Sequence, residues 1–400
     1  KVDDATIGSV YREVEGQKNG HKKFMSTTMA NSIELVFATL MCLDENVRAT
    51  IIIGRYSSRN MNASNFMVAL SEAELVLSTF GMIPFTASSD GAGPNISGAQ
   101  QKFTDELILS NCKDLDIKAI YELCVVSACR YVRLNTYFHK SVNGTPLLCF
   151  FIQDLQHKVK CLRNAFTNLS VRIINLEYDE MKFVPINIEI IRAYYSVWQN
   201  NQKREIDRKI GLQFLDTCTG DSYSKMNSEI ALRFFSRDFS NVMKLMVIWL
   251  KQNQTLNNFV KSKSEDEDCL NMLTAMIMFI EPFIKVIGIV ECLHKWRFGS
   301  GTVSHKHKSM LTTYEDTDSL LALANLVKHL NIVYSSARRE GKQTFERVTV
   351  DGITDFCVSL IHLIVYKTSV VCPNSNLPVA LISSEIAEHT FGAIKDCGPG

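Results

Sequence analysis

The chain has 400 residues, 43 basic against 42 acidic, and 46 % hydrophobic side chains with a mean hydropathy of +0.01. That length fits roughly two or three domains of about 150 residues each, and the composition excludes a disordered or fibrous chain. A net charge of +1 excludes a strong basic field, so any contact with nucleic acid has to come from local patches.

The first fifty or so residues read as three extended segments. Val2–Val10 holds Asp3 and Asp4, Ser32–Leu43 is a long apolar run, and Arg48–Tyr56 is β-branched around Ile51, Ile52 and Ile53. No signal peptide is read at the start, although Lys1 is not an initiator methionine. Asn62-Ala63-Ser64 is a helix start, and Phe66, Leu70, Ala73, Leu77 and Phe80 recur at helical spacing. Gly81 fits the position just past that helix. A fourth short strand, Ile83–Ala87, runs into Ser88-Ser89-Asp90-Gly91, and Leu147–Ile152 is a fifth. Three strands, a helix and a strand ending in Asp follow the chain order of a ribonuclease-H-like fold.

From about Asn164 to Tyr366 the pattern is mainly helical. Ile188–Trp198, Ser228–Leu250, Leu270–Cys292 and Asp318–Tyr334 are long periodic segments, and the charged stretch Lys261–Asp268 links two of them. Met272–Val290 is the most apolar stretch. Glu281, Pro282 and Lys285 interrupt it, so it reads as a buried helix pair, and no membrane partner is expected. Val371-Cys372-Pro373-Asn374 breaks the last of these helices, and a final helix starts near Ser383-Ser384-Glu385. The fold class that results is α/β, a ribonuclease-H-like domain interrupted by a large, mainly helical insertion. The expected boundaries are 1–153, 154–375 and 376–400.

Twelve cysteines are scattered without a Cys-x-x-Cys pair, which reads as buried thiols in a reducing compartment. His305-Lys306-His307 reads as part of a flexible basic loop beside Gly299, Ser300 and Gly301, and no zinc site is counted. A Gly-x-x-x-x-Gly-Lys-Ser/Thr phosphate loop is absent.

Chemistry concentrates at Phe150–Asn164. A short apolar strand stops at Asp154, and a helix opens carrying His157, Lys160, Arg163 and Asn164 on one face. Such a face, at the carboxyl end of a strand, lies where α/β proteins keep ligands. By itself it also fits a solvated helix face. Three acids change that balance: Asp3 in the first strand, Asp90 at the end of the fourth, and Glu388 on the last helix. In a ribonuclease-H-like sheet the first and fourth strands are neighbours, so these carboxylates would converge. Converging carboxylates repel unless divalent cations neutralise them, and hard oxygen ligands suit Mg2+ or Mn2+. Two such ions can assist phosphodiester hydrolysis.

Taken in order, these segments resemble the P-element-type transposases, the group that includes the THAP-domain transposases. Val2-Asp3-Asp4-Ala5-Thr6-Ile7 is similar to the family's opening strand, with Asp4 in place of Glu and Thr6 in place of a basic residue. Ser89-Asp90-Gly91-Ala92-Gly93-Pro94-Asn95 resembles its second acidic turn. Asp154, His157, Lys160, Arg163 and Asn164 match its Asp-x-x-His-x-x-Lys-x-x-Arg-Asn element in full. Lys225-Met226 through Ser236 resembles a further segment, and Glu385, Glu388, Phe391 and Gly392 resemble the closing one.

The resemblance implies a DNA transposase core of DDE type, with Asp3, Asp90 and Glu388 as catalytic, metal-binding acids. It implies Mg2+ or Mn2+ as cofactor, DNA at transposon ends and target as partner, a homo-oligomer, and the nucleus as location. It also implies a guanine nucleotide (GTP) in the helical insertion, with Asp154 and Lys160 at positions where family residues contact it. The family's Phe-Asp-x-x-Asn-Ser element in that insertion falls nearest Ile287–Cys292, which lacks the Asp and the Asn. Lys158, Lys160 and the basic residues Lys295, Arg297, Lys306 and Lys308 are candidate phosphate contacts. A decayed or domesticated transposase that binds DNA or protein without cleavage is the alternative.

Overall fold

The computed structural model describes residues 32–42, 47–58, 62–82, 84, 86–89, 92–102, 136–140, 146–168, 171–175, 182–201, 228–253, 269–297, 317–339, 341 and 344–366. The chain forms two compact units. The first takes Lys1–Ile83 and Gly93–Lys102, and the second takes Pro84–Ala92 and Phe103–Gly400.

In the first unit, β1 (Ser32–Cys42) and β2 (Val47–Ser58) pair as an antiparallel hairpin. Their register slips between Val36 and Phe37, which face Gly54 and Ile52, so Ile53 is the extra residue of a bulge. Helix α1 (Ala63–Thr79) starts where expected, the Asn62 side chain accepting the Asn65 N–H at 2.9 Å. Its end is a Schellman turn. Met82 N–H donates to Leu77 O, Gly81 N–H donates to Ser78 O, and Gly81 takes a φ of 70° that its missing Cβ allows. Helix α2 (Gly93–Lys102) lies close against α1. A Cβ at Gly98 would come within 2.7 Å of the Phe66 ring and 2.8 Å of the Ala63 carbonyl oxygen.

The second unit is built around β5 (Pro146–Gln153). Strand β3 (Thr86–Ser89) pairs parallel to it, with Ser89 opposite Gln153, and β4 (Thr136–Lys140) pairs antiparallel on its other edge. Cys149, Phe150, Phe151 and Ile152 are all buried, the pattern of a central strand covered on both faces. Helix α3 (Leu155–Asn168) follows directly, and Leu155, Val159, Leu162 and Phe166 seat its apolar stripe in the core. Then come, among the described residues, the hairpin β6 (Val171–Asn175) and β7 (Lys182–Ile186) and six helices: α4 (Ile188–Asn201), α5 (Ser228–Phe234), α6 (Arg237–Gln252), α7 (Cys269–Arg297), α8 (Thr317–Arg339) and α9 (Arg347–Tyr366).

Three details differ from the sequence expectation. The run Ser228–Leu250 is two helices, because Ser236 turns extended and its hydroxyl accepts the Phe239 N–H at 3.3 Å, capping α6. The apolar run around Pro282 is one helix, not a pair. Phe279, Ile280, Phe283, Val286 and Ile287 are buried on both sides of the proline, and that packing outweighs the ~3 kcal/mol a helix-interior proline costs. This helix is long and apolar enough to cross a membrane, but it runs through the core of the unit. Finally, strands β4, β6 and β7 were not anticipated. Each has only five residues, too few for an alternating pattern to emerge.

The juxtaposition expected of a ribonuclease-H-like sheet depends on Val2–Val10, which lies outside the described residues. The boundary expected at Gln153/Asp154 falls inside the second unit.

Candidate functional site at the end of the central strand

Strand β5 ends at Gln153, and Asp154 makes the corner into α3. The Asp154 N–H donates to Ser89 O at 3.3 Å, continuing the β3–β5 ladder by one rung. Its carboxylate accepts the Gln156 N–H at 3.0 Å, and its carbonyl accepts the Lys158 N–H at 3.3 Å. Asp154 thus acts as the N-cap of α3, where a carboxylate satisfies an amide with no partner inside the helix and meets the positive end of the dipole.

The polar face of α3 is not solvated. Asp154 is 2 % exposed, Lys158 2 %, Lys160 6 % and Arg163 1 %, with His157 and Asn164 half-buried. The solvated-face reading is therefore corrected. Lys158 and Lys160, the candidate phosphate contacts on this helix, are thus both buried residues. Arg163 turns its guanidinium onto its neighbour, with Nε at 3.1 Å and one terminal nitrogen at 2.8 Å from Asn164 Oδ1. Burial pushes the Cys161 thiol above its ordinary pKa, opposed by the positive fields of Lys158 and Lys160 and assisted by Glu346. The net effect favours the protonated thiol over the thiolate.

Lys158 and Lys160 lie two residues apart and so leave the helix about 200° from each other. On the Lys158 side, α3 and β5 meet α9. A Cβ placed on Gly352 of α9 would lie 2.4 Å from Lys158 Cε and 2.8 Å from Gln153 Oε1, so a side chain there would require the ends of Lys158 and Gln153 to move. One turn along the same helix, Asp355 Oδ2 accepts the Gln153 Nε2 donor at 2.9 Å. Gln153 is 3 % exposed. Sequence reading missed Gln153, Gly352 and Asp355. The available signal was Gly352, a residue poorly suited to a helix interior, inside a run otherwise apolar enough for a core helix.

Of the expected acids, Asp3, Asp90 and Glu388 lie outside the described residues; β3, which leads to Asp90, is described as far as Ser89. Among the described residues no group of three or more His, Cys, Asp or Glu could hold a metal ion. The segment nearest the family's nucleotide-holding element, Ile287–Cys292, is uninterrupted helix within α7, with Ile287 and Ile289 buried. Asp154 and Lys160, the positions that the resemblance assigns to a nucleotide, are both buried, and Asp154 caps its own helix.

No family model matches the chain, and no curated protein matches it. Among solved structures it is similar to a chain of the Drosophila P element transposase strand transfer complex, at 14 % identity and a TM-score of 0.51. The alignment covers 92 % of this chain and 71 % of that one, so the two share a fold across nearly all of the present sequence.

Proposed function

We propose that the chain is the core of a P-element-type DNA transposase, hydrolysing phosphodiesters at element ends and joining the freed 3′-hydroxyl to target DNA. The observation that carries this reading is the fold likeness over 92 % of the chain, together with the complete Asp-His-Lys-Arg-Asn element at the carboxyl end of the central strand. The proposed catalytic acids are Asp3, Asp90 and Glu388. An all-carboxylate donor set suits hard divalent cations, so these three would hold Mg2+ or Mn2+. When bound, such ions supply charge neutralisation at the attacking and leaving oxygens of the phosphodiester. The chain's own contribution is to hold the carboxylates at fixed positions and to keep the β3–β5 edge rigid through the Asp154 corner. DNA is the proposed partner, in a homo-oligomer in the nucleus. A guanine nucleotide stays open as a further ligand of the helical part, since Asp154 and Lys160 stand at the matching positions while Ile287–Cys292 lacks the family's Asp and Asn.

The test is divalent-metal-dependent nicking of DNA carrying the element's ends by the full-length protein that contains this chain. Nicking is expected with Mg2+ or Mn2+, and Asp90→Asn and Glu388→Gln are each expected to reduce it to background. Asp4 in the place of the family's Glu favours the alternative, a decayed or domesticated transposase. DNA binding without nicking in the unmodified protein would establish that alternative and remove the enzymatic reading.

A further inference from the structure

We infer that Gln153, with Gly352 and Asp355 of α9, positions the carboxyl edge of β3 and β5, so that the helical part of the second unit sets the geometry of the proposed active edge. The inference rests on the proposed function for its consequence but not for its structural content. Three contacts form a continuous path. Asp355 Oδ2 accepts the Gln153 amide at 2.9 Å, Gln153 is the last residue of β5 and faces Ser89 in register, and the next residue, Asp154, donates its N–H to Ser89 O at 3.3 Å. In the chain, Ser89 is followed by Asp90.

The burial of Gln153 gives the contact its directionality. A buried primary amide must orient both its nitrogen and its oxygen, and the Oε1 atom has no hydrogen-bond partner among the described residues. The amide orientation is therefore set by the carboxylate of Asp355, a charge-assisted bond of the stronger class. Gly352 leaves room for the ends of Lys158 and Gln153, since a Cβ there would come within 2.4 Å of Lys158 Cε and 2.8 Å of Gln153 Oε1 and displace both. Lys158 lies on the first turns of α3, directly after the corner. A shift of α9 thus moves the strand end and the helix start as one piece. Close-packed interiors transmit such displacements instead of absorbing them. Gln153, Gly352 and Asp355 are positioning residues; they are assigned no contact with substrate.

The experiment compares Asp355→Ala, Asp355→Asn and Gln153→Met in the full-length protein. Amide hydrogen exchange is read on peptides spanning residues 84–92 and, as a control, on peptides from α7. In Asp355→Ala and Gln153→Met, exchange at 84–92 is expected to rise about ten- to hundredfold, the order that loss of one hydrogen bond to a charged group gives. The α7 peptides should not change. Asp355→Asn keeps a side-chain oxygen for the Gln153 donor and is expected to restore the slow exchange. In the nicking assay, the Mn2+ concentration for half-maximal activity should rise in the first two variants and return to normal in Asp355→Asn. Unchanged exchange at 84–92, or an equal rise in α7, would overturn the inference. If the unmodified protein nicks no DNA, the proposed function falls, while the exchange comparison still decides the positioning role.

Discussion

His329 shows how an ordinary residue type becomes a pH-dependent one through burial. Its ring lies 5.4 Å from that of Phe279 inside the α7–α8 interface, and its Nε2 has no hydrogen-bond partner among the described residues. Desolvation drives its pKa from 6.5 down to about 4, against a smaller upward pull from a hydrogen bond to the Phe279 backbone. Because the folded-state value lies below the unfolded one, the associated stability is full above pH 6.5 and declines as the pH falls towards 4. Urea unfolding should show a loss of about 2 kcal/mol between pH 7.5 and pH 5 from this group. His329→Leu should flatten that part of the profile; an unchanged slope would mean the imidazole already titrates normally. The residues on α3 carry a related lesson. The motif spacing placed these residues on one helix but did not reveal their enclosure, because periodicity records which residues share a face and is silent on what later covers it. A covering element, α9, lies about 180 residues further along the chain.

Among the elements, α7 organises the core. Phe279 stacks on Phe345 at 5.1 Å and meets Phe166 at 5.6 Å and Phe283 at 5.4 Å, joining α3, α7 and the approach to α9 in one aromatic cluster. Phe279→Ala is expected to lower unfolding stability by about 3–5 kcal/mol in denaturant titration. Leu245→Ala, on the exposed side of α6, should stay within about 0.5 kcal/mol, and equal effects at both sites would contradict this core. The elements legible in the sequence were those with long periodic patterns and polar punctuation. Helix α1 was readable at both ends because Asn62 and Gly81 perform at the backbone the roles their chemistry suggests. The division of α5 from α6 was not readable, since Phe234 and Phe235 continue the apolar run across the break and Ser236 alone marks it. Pro282 misled in the opposite direction, suggesting an interruption that tertiary packing overrides.

At the scale of the whole molecule, a near-neutral chain shares its fold with a transposase while enclosing the side chains that the family resemblance assigned to a nucleotide. A fluorescent GTP analogue is therefore expected to show no saturable binding in the low micromolar range. Saturable binding that disappears in Lys160→Ala would support the nucleotide role. The strand end and helix start around Asp154 were legible in advance because they are local events. The meeting of Gln153 with Asp355, 202 residues apart, was not, since no local pattern announces a contact of that separation.

The path of the backbone between the two units has a practical result for anyone dividing this protein. The chain leaves the first unit after Ile83, lends Pro84–Ala92 to the second, and returns for Gly93–Lys102 before departing for good. No single scission can therefore yield both halves intact: any cut either strips β3 from one or α2 from the other. Ribosomal synthesis meets the same constraint, because the earlier half cannot be completed until its neighbour's first strand has already emerged.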